Sequence, residues 1–128
     1  MDARLVTPEV ADILAKLKLI TSLRFSCDQE SQIEPLLRTC ELLKERGVKP
    51  YRVFVYLLVT ADLDSASRRA EALKRLRGIN LYAQAERNER MDIRPNRAQL
   101  EFAQRYVYSG RFRQETWQEY IKRKGLSF

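Results

Sequence analysis

Residues 52–59 constrain the fold more than any other part of the sequence. They read RVFVYLLV, a run rich in β-branched and aromatic side chains in which apolar and polar positions do not alternate. This pattern is typical of a central parallel strand covered on both faces, since a strand with one face in water alternates. Amphipathic helices are predicted on both sides of the run. The sequence therefore favours an α/β fold with a parallel sheet.

Two further strands extend this pattern. They are predicted at residues 22–27 and 80–85, and each predicted strand is followed by a helix whose apolar residues recur every three or four positions. Another helix precedes the first strand, where Thr7, Pro8 and Glu9 form a typical helix start. Strands that alternate with helices pair in parallel through right-handed crossovers. We therefore expect three parallel βα units with flanking helices.

Two aspartates occupy helix-opening positions after predicted strands. Asp28 follows the first strand and Asp62 the second, and each carboxylate is well placed to cap the next helix. In the helix after Asp62, the apolar stripe predicts that Arg68 and Arg69 face solvent, and Gly78 is predicted to end it. As simple caps, the two aspartates would need no role in ligand binding.

Residue usage disfavours several kinds of self-contained active site. The chain has no histidine, so the commonest general base and zinc ligand is missing. Its cysteines, Cys27 and Cys40, are thirteen positions apart and form no metal-binding pair, and we interpret them as partly buried free thiols. The four glycines form no phosphate-binding loop. A hydrolase or transferase complete in itself is the least favoured hypothesis.

Positive charge is concentrated in the second half of the chain. Residues 1–64 hold 9 Lys/Arg and 10 Asp/Glu, whereas residues 65–128 hold 15 and 7, for an overall net charge of +7. Such a surface attracts polyanions, and it is equally typical of a solvated arginine-rich helix. In the tail, residues 111–128, Trp117 lies among basic residues. We expect a short docked helix there, although aromatic and basic residues together also describe nucleic-acid surfaces.

Membrane association is not indicated by the sequence. No apolar run approaches the roughly 20 residues that a membrane-spanning helix needs, and the first residues do not resemble a secretion signal. We expect a cytoplasmic protein with no membrane partner.

Five segments are similar, in the right order, to parts of one enzyme family. DARLVTPE at residues 2–9 resembles the stretch after the third strand of radical S-adenosylmethionine proteins, and LRFSCD at 23–28 resembles their fourth strand. The strand at 53–60 resembles the fifth, and LYAQ at 81–84 resembles the sixth. WQEY at 117–120 is similar to a Trp-x-x-Tyr tail of phage and metagenomic members. The resemblance implies that residues 1–110 are the C-terminal half of a partial (βα)6 barrel.

The sequence departs from that family in the part that carries the chemistry. Family members hold a four-iron, four-sulfur cluster through three cysteines in a Cys-x-x-x-Cys-x-x-Cys loop, and no such loop is present here. The resemblance therefore implies a split or truncated enzyme that binds no cofactor alone. It would be inactive by itself and would form the S-adenosylmethionine and substrate face together with an N-terminal half.

The resemblance also implies where ligands would bind, because parallel α/β proteins bind them at the carboxyl ends of their strands. The implied cofactor-binding residues are Ser26, Asp28, Leu58, Thr60 and Asp62, and the implied substrate residues are Gln84 and Arg87. No catalytic residue and no metal ligand is assigned. The expected partner is an N-terminal half supplied in trans, or a second copy bound through an exposed sheet edge. The alternative is a stand-alone basic α/β module that binds nucleic acid.

Overall fold

Three parallel strands form the centre of the fold in the computed structural model, which describes residues 1–17 and 22–128. The strands are β1 (Leu23–Cys27), β2 (Val53–Val59) and β3 (Asn80–Ala85). The α-helices are α1 (Pro8–Lys16), α2 (Ile33–Glu45), α3 (Leu63–Leu73), α4 (Arg97–Glu101) and α5 (Trp117–Lys124). Short 3₁₀ turns occur at Ala3–Leu5, Glu30–Gln32 and Pro50–Arg52, and a π-helical segment, Phe102–Tyr106, continues α4.

The strands lie in the order β1-β2-β3, and both neighbouring pairs are parallel. Leu23 pairs with Val53 and Cys27 with Leu57, while Val59 pairs with Ala85 at the other side of the central strand. The predicted α/β class, with a three-stranded parallel sheet and flanking helices, is therefore confirmed for the described residues. The strand predicted at 80–85 has these same bounds.

The helices that connect the strands lie on one face of the sheet. Both crossovers move one strand further in the same direction, and right-handed connections then place α2 and α3 on the same side. Burial agrees with this placement, because every second residue of β1 and β2 is buried against the helices. The strand residues of this core are Leu23, Phe25, Cys27, Val53, Val55, Leu57 and Val59. Leu36, Ala66 and Leu73 face them from the helices.

Local sequence signals account for most helix ends. Thr7 caps α1, its hydroxyl accepting a hydrogen bond from the Val10 amide at 3.2 Å. Asp62 caps α3 through the Ser65 amide at 3.1 Å, as predicted. After α2, Gly47 adopts a φ of +80°, a left-handed conformation in which a side chain is strained. However, α3 ends at Leu73 and not just before Gly78, because a series of tight turns follows it.

The third βα unit is closed by a cluster of aromatic rings. Phe102, Tyr106, Trp117 and Tyr120 are buried, with ring centroids 4.9 to 5.7 Å apart in the contacting pairs. These contacts dock α5 on the π-helical segment. Among the described residues, no helix has the length and apolar character that a membrane span requires.

Candidate functional site on the open sheet face

The sheet face opposite the helices is not packed against any described helix. Its side chains are half-buried or exposed, and in β1 and β2 they alternate with buried residues. We call this surface the open face, and its members are Arg24, Ser26, Phe54, Tyr56, Leu58, Asn80, Tyr82 and Gln84. The prediction that β2 is covered on both faces is therefore wrong for this chain. The strand is central, but Tyr56 keeps 39% of its surface exposed.

A groove of about 570 Å³ runs over the open face towards the carboxyl ends of the strands. Its lining residues include Arg24, Ser26, Asp28, Tyr56, Leu58, Tyr82, Gln84 and Tyr108. The groove has the size of small-molecule sites, which typically enclose about 300–1,000 Å³. It therefore places a ligand-sized space where parallel α/β proteins bind their ligands.

The groove brings together four of the seven residues for which the family resemblance implies a binding role. Ser26 and Asp28 line it from β1 and its end, Leu58 from β2 and Gln84 from β3. Arg87 is exposed and follows β3, outside the lining of the groove.

Thr60 and Asp62 also lie outside the lining of the groove, and both take part in the turn that starts α3. The Thr60 hydroxyl accepts a hydrogen bond from the Asp62 amide at 3.3 Å, and the Asp62 carboxylate caps the helix. These contacts give both residues a role in shaping the loop between β2 and α3.

Asp28 has a different position from the predicted one. A 3₁₀ turn precedes α2, and the Gln32 side chain accepts hydrogen bonds from the amides of Asp28 and Gln29 at 2.7 and 3.0 Å. The prediction that Asp28 caps the next helix is therefore wrong, because Gln32 satisfies the amides at this end. The exposed Asp28 carboxylate faces the groove instead.

Arg69 lies between α3 and the sheet, on the side opposite the groove, and the prediction that it faces solvent is wrong. Its side chain is 0% exposed, and its Nη1 donates to the carbonyls of Cys27 and Leu58, both at 2.7 Å. Its Nε donates to the Ser65 hydroxyl at 3.3 Å. Burial lowers the pKa of the guanidinium. Arg69 thus links the carboxyl ends of β1 and β2 through hydrogen bonds, next to the groove residue Leu58.

Aromatic stacking organises the middle of the open face. The Tyr82 ring stacks on Phe54 with centroids 5.8 Å apart and planes at 4°, and on Tyr56 at 5.6 Å and 20°. At the outer edge of β3, the Tyr108 hydroxyl accepts a hydrogen bond from the Ala83 amide at 3.0 Å. The sequence predicts no role for these rings, because its apolar run predicts a β2 that is covered on both faces.

The edge of β1 carries a contact from the beginning of the chain. The amino group of Met1 donates to the Arg24 carbonyl at 2.8 Å, on the side of β1 that faces away from β2. Each edge strand of the sheet thus has at least one outward-facing backbone group that forms a hydrogen bond within the chain.

The tail aromatics do not form a stacking platform for nucleic acid. Trp117 and Tyr120 keep 4% and 2% of their surfaces exposed, so their faces are taken up by the core. Burial, followed by the hydrogen bond to Glu101, raises the pKa of Tyr120 to about 12. Several basic residues of this half are engaged within the chain; Arg123, for example, pairs with Glu115 at 2.7 Å. In the tail, the nucleic-acid hypothesis then rests on positive charge and not on Trp117 or Tyr120.

The residues of this chain do not fit an iron–sulfur cluster. Burial raises the pKa of the Cys27 thiol to about 11 and that of Cys40 to about 12, whereas cluster ligands are thiolates. Cys27 is buried on the helix side of β1, away from the groove. Within residues 1–17 and 22–128, no group of three or more acidic, cysteine or histidine side chains is arranged to hold a metal ion.

Comparisons with protein-family models, curated proteins and solved structures found no match to this chain. The groove, its charges and its rings are therefore the basis for a functional proposal.

Proposed function

We propose that the chain is the C-terminal half of a radical S-adenosylmethionine-type partial barrel, which forms a ligand-binding face together with an N-terminal half. The observation that carries the proposal is the one-sided sheet. Its strands follow one another in the order β1-β2-β3, its helices cover one face, and a groove with Ser26, Asp28, Leu58 and Gln84 lies on the other.

The strand order favours a segment of a barrel over half of a doubly wound sheet. In a doubly wound fold the order reverses and helices cover both faces. In (βα) barrels each strand adds to the previous one in the same direction, helices stay outside, and the inner face is filled by side chains or ligands. The open face corresponds to such an inner face, because its rings and polar residues point away from the helices.

The residues of the groove would then bind and orient ligands. Ser26 and Asp28 offer a hydroxyl and a carboxylate to the ribose or amino-acid part of S-adenosylmethionine, and Leu58 offers an apolar surface to the adenine. Gln84, with Arg87 beyond it, would approach the substrate. When bound, S-adenosylmethionine supplies the radical chemistry of the family, and the N-terminal half would supply the cluster, since no group of side chains in the described part of the chain fits it.

Anaerobic iron–sulfur reconstitution tests this proposal. The chain would be reconstituted alone and together with the polypeptide encoded immediately upstream, and cluster absorption and S-adenosylmethionine cleavage would be measured. We expect a cluster and cleavage in the mixture and neither with the chain alone. Asp28→Asn is expected to reduce cleavage, whereas Asp64→Asn, at an exposed position in the first turn of α3, is a matched control. A mixture without cluster or cleavage would contradict the proposal.

The open face also has a consequence for the isolated chain. Exposed rings on an uncovered sheet favour association, so we expect the chain to self-associate until its missing half is present. Sedimentation velocity over a range of concentrations measures this. A monodisperse monomer that melts cooperatively would argue against a missing half.

A further inference from the structure

A slot for a planar ring lies on the open face between Ser26 and Tyr56. In the strand register Ser26 pairs with Tyr56 and Tyr56 with Tyr82, so the three side chains stand side by side. Tyr82 stacks on one face of the Tyr56 ring. On the other side the neighbour is serine, whose side chain is too short to reach the height of the ring. The second face of Tyr56 therefore borders the groove above Ser26.

The spacing of the strands fits a ring in this slot. Neighbouring strands are about 4.8 Å apart, and aromatic pairs are favourable at centroid distances of about 4.5–7 Å. A planar group placed above Ser26 would stand one strand spacing from Tyr56. It would extend the stack that Tyr82 and Tyr56 already form at 5.6 Å.

Charges at the two ends of the slot restrict which substituents a bound ring can have. Side chains on one face of a strand recur at every second residue, so Arg24 lies on one side of Ser26 and Asp28 on the other. Both are exposed and line the groove. The guanidinium of Arg24 favours an acidic substituent, and the Asp28 carboxylate favours a hydroxyl or amino donor.

We propose that the slot binds an aromatic or heteroaromatic ring with an acidic substituent, stacked on Tyr56. The identification of this ligand as the substrate rests on the proposed function. S-adenosylmethionine itself combines an adenine ring with a carboxylate and would use the same Ser26 and Asp28, so a separate substrate is one that S-adenosylhomocysteine does not displace from the slot. The slot itself is formed by β1 and β2 of this chain and does not depend on that identification.

Binding of adenosine 5′-monophosphate to the isolated chain tests the proposal, because this probe combines a heteroaromatic ring, hydroxyl groups and a phosphate. Equilibrium dialysis would give its Kd, and amide chemical shifts would locate it. Ribose 5-phosphate lacks the ring and adenosine lacks the acid. We expect saturable binding of the nucleotide and binding of either comparison compound that is about tenfold weaker or more.

Three variants and a control connect binding to the slot. Tyr56→Ala is expected to weaken binding of the nucleotide about tenfold or more, and Tyr56→Phe, which keeps the ring, to leave it unchanged. Ser26→Phe fills the slot with a protein side chain and is expected to abolish binding without lowering the thermal midpoint. Tyr51→Ala removes a tyrosine that is 67% exposed and outside the groove, so it should bind like the wild type.

Several results would overturn the proposal. Absence of saturable binding to the folded wild type would do so, as would a Kd unaffected by Tyr56→Ala. Equal competition by S-adenosylhomocysteine, which also carries a carboxylate, would assign the slot to the cofactor and refute a separate substrate. Self-association that Tyr56→Ala removes, without nucleotide binding, would make a second copy the occupant. Failed cluster reconstitution would count against the proposed function and leave the nucleotide result standing.

Discussion

Replacing Arg69 tests whether this buried side chain holds the site together. Its Nη1 donates to the carbonyls of Cys27 and Leu58, both at 2.7 Å. The register of β1 with β2 ends at the pair Cys27 and Leu57, so Leu58 lies beyond the last paired residue of β1. Arg69 replaces the missing strand neighbour at this point. In Arg69→Met the apolar part of the side chain is retained, and both carbonyls lose a charged donor.

Two opposing effects decide the size of the change. A buried group left without its partner costs about 1–3 kcal/mol, and two such carbonyls are involved. The substitution also removes a buried charge, which favours the variant, as replacements of buried ionic groups by apolar residues can. The charge is satisfied by good geometry here, so we expect the first effect to dominate. The expected net decrease in the free energy of unfolding is about 2–4 kcal/mol.

Urea denaturation of the wild type and variants measures this decrease. Repeating it at several protein concentrations separates the effect from self-association, which would make the midpoint depend on concentration. Arg68→Met is the matched control. Arg68 forms an exposed ion pair with Glu30 at 2.7 Å, and such pairs contribute about 0–1 kcal/mol. Hydrogen exchange should also speed up at the ends of β1 and β2 in Arg69→Met alone. A variant as stable as the wild type would refute the argument and show that desolvation of the charge outweighs its hydrogen bonds.

Three further changes have defined outcomes. The Arg123 hydrogen bonds hold the pKa of Glu115 below its ordinary value of 4.5. Their contribution to stability is therefore present above pH 4.5 and is lost as the pH falls through the lowered pKa. In Glu115→Gln, the urea midpoint should consequently decrease less steeply as the pH is lowered. Burial raises the pKa of Cys27 to about 11 and that of Cys40 to about 12. Alkylation by iodoacetamide at pH 8, followed by mass spectrometry, should therefore be about 100-fold slower at Cys27 and about 1,000-fold slower at Cys40 in the native state than in urea. Lys74 donates hydrogen bonds to three acceptors at 2.6 to 2.9 Å. Lys74→Met should therefore lower the free energy of unfolding by about 2–3 kcal/mol in the same urea assay. An unchanged value would show that these hydrogen bonds do not stabilise the fold.

The elements of the fold were predictable because their signals are local. Thr7 and Asp62 cap helices as their positions indicate, and the strand at 80–85 is bounded by the turns that follow α3 and by a polar loop. The parallel arrangement follows from strands that alternate with helices. Which face of β2 is covered is not a local property. A continuous apolar run is compatible with one or two covered faces, so it gave no warning that Tyr56 is exposed.

The site was predictable in part. Strand ends are readable from the sequence, and Ser26, Asp28, Leu58 and Gln84 do line one groove. That Asp28 does not cap α2 was not predictable, because a 3₁₀ turn precedes the helix and the Gln32 side chain accepts the hydrogen bonds of the amides there.

The sequence did indicate that Arg69 is buried, but the charge of its side chain favoured an exposed position. It stands three residues after Ala66 and four before Leu73, which places it beside the buried stripe of α3. Periodicity alone would therefore have placed its side chain towards the sheet. The carbonyls that justify a buried guanidinium belong to β1 and β2, which lie 42 and 11 residues away in the chain.

The distribution of polar and aromatic groups is the reason for placing the proposed function on the open face. Among the described residues, every buried side-chain nitrogen and oxygen has a hydrogen-bond partner, so no unpaired polar side chain in the core calls for a ligand. On the open side, Tyr56 and Tyr82 remain 39% and 43% exposed although they stack on each other. Exposed rings on a sheet weaken solubility unless something covers them. A partner half that closes a barrel and a ring that enters the slot beside Tyr56 would each remove that exposure, and the two together would enclose a ligand between protein surfaces.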